Sequence, residues 1–194
     1  MIRNLVRAIL FTIVLAVLCG LVYPLVMTGF AQVAFRSKAD GSVVSANGRP
    51  VGSAFIGQEW KGPQWFYGRP SVIDYDATTT QGSNLGPLSK TLASDIEQRA
   101  KAIKAIEGPY HPGLTTAQIP VDLLTASASG LDPQISPAAA RFQAPRIAAT
   151  RSIPLSEVMK LIDENTAGRT LGFLGEPRVN VLELNLALQQ LSQK

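Results

Sequence analysis

Residues Ala8–Phe35 read AILFTIVLAVLCGLVYPLVMTGFAQVAF, about 28 positions without a charged side chain. As a helix rising about 1.5 Å per residue, the run would reach about 42 Å, more than the roughly 30 Å of a bilayer's hydrocarbon core. Pro24 and Gly29 interrupt its second half, and spanning helices tolerate both where nearby groups satisfy the freed backbone. Tyr23 is expected in a helix bundle or near an interface. A cleaved signal peptide is the rival reading, with Arg3 and Arg7 as its basic start. Its apolar region would be only about 7–15 residues long, and no A-x-A site follows here. A lipoprotein signal at Cys19 would need a small residue before it, where Leu18 stands. The run is therefore read as a retained anchor. The chain divides into a short tail over 1–7, a transmembrane helix over 8–30 and a soluble domain over 36–194.

Orientation rests on few charges. Arg3, Arg7 and the amino terminus lie on one side; Arg36 and Lys38, partly offset by Asp40, lie on the other. The short tail favours a cytoplasmic amino terminus and a translocated domain. Cys19 is the only cysteine, so the domain has no disulfide, which does not fix its compartment. Net charge is +4, of which Arg3 and Arg7 carry half. The other Lys and Arg are scattered without a basic block or nucleic-acid motif, which argues against nucleic-acid binding.

The domain reads as α+β. In GSVVSANGRPVGSAFIGQ, residues 41–58, two β-prone runs flank Asn47-Gly48, a dipeptide suited to a type I′ hairpin turn. Residues 59–87 carry Trp60, Trp65, Phe66 and Tyr67 among glycines and prolines, and read as an ordered loop pinned by its rings. Those rings pack on the core or form a stacking site for a ligand; core packing is favoured. Pro87 is read as opening a helix, with Leu88, Leu92, Ile96, Ala100 and Ile103 on its apolar face and an end before Gly108-Pro109. Ser136-Pro137 reads as an N-cap followed by proline at the first helical position. Pro145 is expected to interrupt or kink that helix. Another helix is expected over 155–166, with Val158, Leu161 and Ile162 on one face. Last, Val179 and Val181 alternate like a strand, whereas Leu184, Leu188 and Leu191 step like a helix.

Chemical constellations are incomplete. GSNLGPLSK lacks the G-x-x-x-x-G-K-[ST] spacing of a phosphate-binding loop. One histidine, His111, and one cysteine in the anchor cannot build a usual zinc site. Asp74 and Asp76 sit outside any calcium-loop pattern and read as turn residues. Serine hydrolysis would take Ser127 or Ser129 as nucleophile, His111 as base and Asp122 or Asp132 as the orienting acid. G-x-S-x-G is absent, and His111 lies in the turn-rich GPYHPG. A membrane-anchored extracytoplasmic serine hydrolase stays open as the alternative reading.

The sequence resembles a known family, the C subunit of the Kdp-type potassium-transporting P-type ATPase of bacteria and archaea. The likeness runs nearly end to end. It is carried by YPLVMTG (23–29), GSAFIGQ (52–58), FYGRPS (66–71), GSNLGP (82–87), DLLTASASGLDPQISPAAA (122–140) and LGEPRVNVLELNLAL (174–188). The block at 122–140 is the most specific; Gln143, Arg146 and Arg151 also fall where the family pattern has a glutamine and two arginines. Phe55 and Leu124 are minor departures. The resemblance implies a four-subunit pump of the bacterial inner membrane. In it the A subunit selects potassium, the B subunit hydrolyses ATP and a small F subunit assists. The C subunit is implied to be single-pass and non-catalytic, with no cofactor of its own and ATP handled with the B subunit. It is implied to be needed for assembly and to act as a catalytic chaperone that raises the B subunit's ATP affinity. A translocated domain cannot touch cytoplasmic ATP, so that effect would travel through the membrane subunits unless the topology is reversed.

Within DLLTASASGLDP, residues 122–133, a shaping and docking loop is expected. Asp122, Thr125, Ser127, Ser129 and Asp132 find local backbone partners, and Gly130 permits a turn. Whether its rim also meets a membrane subunit stays open. In the anchor, Gly20 and Gly29, with Tyr23 and Pro24, are the candidates for close helix packing.

Overall fold

The apolar run becomes one unbroken helix, Ile2–Ala34, in the computed structural model, which describes residues 1–191. It joins α1 (Ile2–Val17) to α2 (Tyr23–Ala34) through a π-helical turn at Leu18–Val22. The turn ends two residues before Pro24, which brings no N–H to the ladder. There the Tyr23 N–H donates to the Leu18 carbonyl, five residues back. No residue of the helix is buried, and among the described residues no other helix is long and apolar enough to cross a membrane. The helix takes in most of the tail expected at 1–7 and continues past residue 30. Residues 192–194 of the domain expected over 36–194 lie outside the described residues.

A single turn, α3 (Arg36–Ala39), leads into a hairpin of β1 (Val43–Ala46) and β2 (Arg49–Ser53). Asn47 and Gly48 have φ of 52° and 73°, the two positive values that a type I′ turn requires. The register shifts between Val44 and Ser45, so that Ser45 faces Pro50, which has no N–H for the ladder. From residue 54 to 89 the chain makes neither helix nor strand.

α4 (Lys90–Glu107) starts later than expected. Its N-cap is Ser89, whose Oγ accepts from the Leu92 N–H, and Pro87 lies outside it. Leu88 therefore leaves the apolar stripe and is 97% exposed. A capping hydroxyl satisfies an orphan N–H in the first turn, which a proline two residues earlier cannot do. The short α5 (Val121–Leu124) and β3 (Gln134–Ile135) bracket the serine-rich loop. α6 (Pro137–Arg151) starts on Ser136, whose Oγ accepts from the Ala139 N–H at 3.0 Å. It runs through Pro145 without the expected break. An interior proline costs about 3 kcal/mol. Here Ala139, Ala140, Gln143, Ala144, Arg146 and Ile147 are all fully enclosed, and their packing outweighs one lost bond.

α7 (Leu155–Glu164) buries Val158 and Ile162 against α6, with Leu161 half-buried. β4 (Thr166–Ala167) and β5 (Arg178–Asn180) complete an antiparallel sheet in the order β3-β5-β4. β5 passes directly into α8 (Val181–Leu191), with Val179 in the strand and Val181 already helical. Ile147, Val158, Ile162, Val179, Leu184 and Leu188 form the centre of the core, and Phe66 of the irregular loop sits among them with no exposed surface. The fold is α+β, one long apolar helix followed by a helix-rich domain with two small sheets.

Phe66→Ala should destabilise the chain by about 3–5 kcal/mol, because an enclosed ring leaves a cavity. Leu88→Ala should stay within about 0.5 kcal/mol, as a surface change does. Urea unfolding in detergent, followed by tryptophan fluorescence, measures both; equal effects would contradict the packing described.

Candidate functional site

The segment from Asp122 to Pro133 is built as a laced strip. Asp122, in the first turn of α5, accepts from the Ser136 N–H at 2.7 Å and from the Ser136 hydroxyl at 3.2 Å. It thus holds the residue that caps α6. The Thr125 hydroxyl donates to the Val121 carbonyl at 2.9 Å. The Ser127 Oγ is buried and accepts from the N–H groups of Ser129 and Gly130 at 3.2 and 3.0 Å. The Ser129 Oγ accepts from the Leu131 N–H at 3.1 Å. The Asp132 carboxylate accepts from the Gln134 N–H at 3.0 Å and from Arg69 at 3.2 Å. Thr125, Ser127, Ser129 and Asp132 each close a short backbone turn, the pattern expected of Ser, Thr and Asp beside glycine, whereas Asp122 has its partner fourteen residues away at Ser136 rather than locally.

The strip's backbone is stitched to the preceding loop. Ser127 N–H donates to the Pro70 carbonyl, Gln81 N–H to the Ser129 carbonyl and Gly57 N–H to the Leu131 carbonyl. The Ser71 hydroxyl donates to the Gly130 carbonyl at 2.8 Å. Gly130 has φ of 74°, and a Cβ there would stand 2.5 Å from Ile73 Cγ1 and 3.0 Å from the Gln81 carbonyl oxygen. Arg69 lies across the strip, reaching Asp132, the Thr125 hydroxyl and the Thr125 and Ala126 carbonyls. Asp122, Asp132, Arg69, Glu176 and Arg178 border one open depression of about 340 Å³.

A second arrangement holds the aromatic loop. Arg146 has no exposed surface. Its Nε donates to Glu107 Oε1 at 2.8 Å, its Nη1 to the Pro63 carbonyl and, at 3.0 Å, the Trp65 carbonyl, and its Nη2 to Gln143 Oε1 at 3.0 Å. The guanidinium also lies 4.5 Å from the centre of the Tyr67 ring. Two amides clamp the backbone beside it. Gln143 accepts from Tyr67 N–H and donates to its carbonyl; Asn185 does the same for Phe66. Arg151 donates to the Gln64 carbonyl and stacks on Trp65, whose ring centre is 5.0 Å from that of Trp60. The rings of the loop thus pack on the domain. Burial pushes the Glu107 carboxyl above its ordinary range, partly countered by Arg146, and Oε2 has no hydrogen-bond partner among the described residues.

These contacts leave little free for chemistry. His111 Nε2 bonds the Phe142 carbonyl at 2.8 Å, and its ring stacks on Phe142 with centres 4.7 Å apart. Neither Ser127 nor Ser129 has a hydrogen bond to it. Asp76 closes a turn on Thr78, as expected. Among the described residues no three His, Cys, Asp or Glu side chains lie together as a metal would require. In the anchor, Gly20 falls inside the π turn, Pro24 follows it, Tyr23 is exposed, and added Cβ atoms at Gly20 and Gly29 would meet nothing of this chain.

Gln143, Arg146 and Arg151 entered the sequence reading only through the resemblance. Glu107 was missed, although it continues the stripe of Ile96, Ala100 and Ile103 onto the inner face of α4. A carboxylate on an apolar stripe is the signal that points to a buried cation. Arg69, Ser71 and Asn185 carry no such signal, because their partners lie far away along the chain.

Ser127→Ala should cost about 1–3 kcal/mol by leaving two N–H groups without their acceptor, whereas Gly130→Val should prevent the native fold; chemical denaturation distinguishes them. Burial, then Asp132, pushes the Tyr75 phenol up to about 12, and its hydroxyl donates to the Arg69 carbonyl. The folded value lies above the unfolded value of 10.0, so this contribution is fully present below pH 10 and is lost as pH rises through about 12. Tyr75→Phe should therefore lessen the loss of stability between those pH values, measured by urea unfolding at each.

The family model described as "K+-transporting ATPase, c chain" matches residues 5–190. A protein of Acidobacterium capsulatum is 51% identical over 191 residues, covering 97% of this chain and 99% of its own. One of Koribacter versatilis is 47% identical over 188 residues, covering 96% and 94%. One of Bradyrhizobium diazoefficiens is 46% identical over 208 residues, covering the whole of both chains. All three are named potassium-transporting ATPase KdpC subunit. Anchor, laced strip and clamped loop all fall inside these matches, and the chain belongs to the KdpC family, the c chains of potassium-transporting ATPases.

Proposed function

We propose that this membrane-anchored subunit of a potassium-transporting ATPase is non-catalytic and serves assembly and regulation of the pump. The observation that carries the reading is the engagement of the Asp122–Pro133 strip. Its hydroxyls and carboxylates bond backbone or Arg69, and neither serine meets a base. A serine nucleophile needs a proton acceptor and an oxyanion site. Here the Ser127 oxygen itself receives two N–H bonds, which argues against the hydrolase alternative.

In this reading the partners are the potassium-selective A subunit, the ATP-hydrolysing B subunit and the small F subunit. The rim of the strip meets one of the larger membrane subunits, and the Gly20 face of the anchor packs against a neighbouring helix. The subunit lies in the bacterial inner membrane with its amino terminus in the cytoplasm and its domain outside. It acts as a catalytic chaperone that raises the B subunit's affinity for ATP, an effect transmitted through the membrane subunits. It binds no cofactor of its own.

Deleting the subunit should abolish potassium-stimulated ATP hydrolysis by the complex; normal assembly and transport without it would end this reading. Ser127→Ala and Ser129→Ala should leave ATP turnover within a few-fold of normal, and an assembled, stable complex that lost turnover would revive the catalytic alternative. For orientation, a Cys19→Ala, Lys61→Cys chain should react with an impermeant thiol reagent in intact spheroplasts; labelling only after lysis would reverse the topology. Gly20→Leu should lower the yield of assembled complex, and an unchanged yield would turn that face toward lipid.

A further inference from the structure

The apolar run is longer than a hydrocarbon core. Counted from Arg7 at about 1.5 Å per residue, a core of roughly 30 Å is crossed before Phe30 is reached. The last turn of α2 and Phe35 then fall at the headgroup boundary, where interfacial segments bury Phe and Leu side chains. Phe30 and Phe35 meet edge to face there, with centres 6.1 Å apart.

The start of the soluble domain is bolted to this end of the helix. Gln32, in the last turn of α2, donates to Asp40 at 3.1 Å, and Ser42 N–H donates to the Ser37 carbonyl at 2.8 Å. The next links reach the far strand of the hairpin. The Ser53 hydroxyl donates to the Gly41 carbonyl at 2.7 Å, Ala54 N–H to the Ser42 carbonyl, and Phe55 N–H to the Ser53 oxygen. A short chain of hydrogen bonds therefore runs from the membrane helix to Phe55. The apolar side chains at this end are exposed: Phe35 is 54% exposed, Val43 56%, Phe55 60% and Ile56 40%. Charge is disposed to match. Asp40 is drawn back onto Gln32 and Arg36, and Lys38 makes no ion pair among the described residues.

We propose that Phe35, Val43, Phe55 and Ile56, with Arg36 and Lys38 beside them, form a foot. It rests in the headgroup layer of the phospholipid bilayer and holds the domain at a fixed attitude to its own span. Apolar side chains seated at the interface beside cations that meet anionic headgroups are the chemistry of interfacial attachment. The inference rests on the membrane-spanning reading of the helix and is independent of which leaflet is touched.

The test uses the full chain with Cys19→Ala, reconstituted alone into nanodiscs of phosphatidylcholine and phosphatidylglycerol. An environment-sensitive fluorophore is placed on Phe55→Cys, on Lys38→Cys, which leaves Phe55 intact, or on Arg49→Cys beside the hairpin tip. Lipids with a headgroup nitroxide should quench the labels at 55 and 38 several-fold more than the label at 49. Equal quenching at the three positions overturns the foot. So does shielding of position 55 that appears only in the whole pump, because the face then belongs to another subunit. A label on Val14→Cys separates the underlying readings. Quenching there by an acyl-chain nitroxide, without quenching at 55 and 38, leaves the span standing and removes the foot; no quenching at any of these positions removes both.

Discussion

A guanidinium with no exposed surface must find every partner inside the protein, and Arg146 draws its partners from three parts of the chain. Glu107 comes from the end of α4, Gln143 from α6 itself, and the carbonyls of Pro63 and Trp65 from a segment with no regular structure. Leaving one side of such a buried pair unmatched costs about 3–5 kcal/mol. The arrangement therefore holds as a unit: α4, α6 and the aromatic loop assemble together around one charge.

The loop shows why this matters. Residues 54–89 have no ladder of their own, so their backbone groups need other partners. Gln143 and Asn185 supply two bonds each to Tyr67 and Phe66, and the Phe66 ring then fills the core. On its other edge the same loop is stitched to the Asp122–Pro133 strip through Pro70, Ser71 and Gln81. Polar side chains that in another protein would carry chemistry here replace missing secondary structure. That use fits a subunit of a larger assembly, and along the membrane helix no residue is buried by its own chain.

Much of the architecture was legible where the signal was local. Asn47-Gly48 announces a type I′ turn because both residues tolerate positive φ, and Ser136-Pro137 announces a helix start by supplying a cap and surrendering an N–H that has no partner. Two local signals, Pro87 as a helix start and Pro145 as an interruption, were overridden for one reason: both describe what proline does to an isolated helix. Ser89 outcompeted the first as a start signal, and close burial of α6 carried the helix through the second. Within the strip, Ser, Thr and Asp declared their turns, but Arg69 and Ser71, which lace it down, lie more than fifty residues away along the chain.

By itself the sequence determined that a long uncharged helix precedes an α+β domain, because hydropathy and turn chemistry are properties of neighbouring residues. It also carried the family, written in blocks spread along nearly the whole chain. Only the tertiary structure decided that Glu107 faces inward, that Arg146 is its partner, and that Phe66 belongs to the core. It alone placed the start of the domain against the end of the membrane helix. Each of these depends on groups meeting across long stretches of chain, and the cost of burying a charge or a bare amide appears only when the partners that offset it are in place.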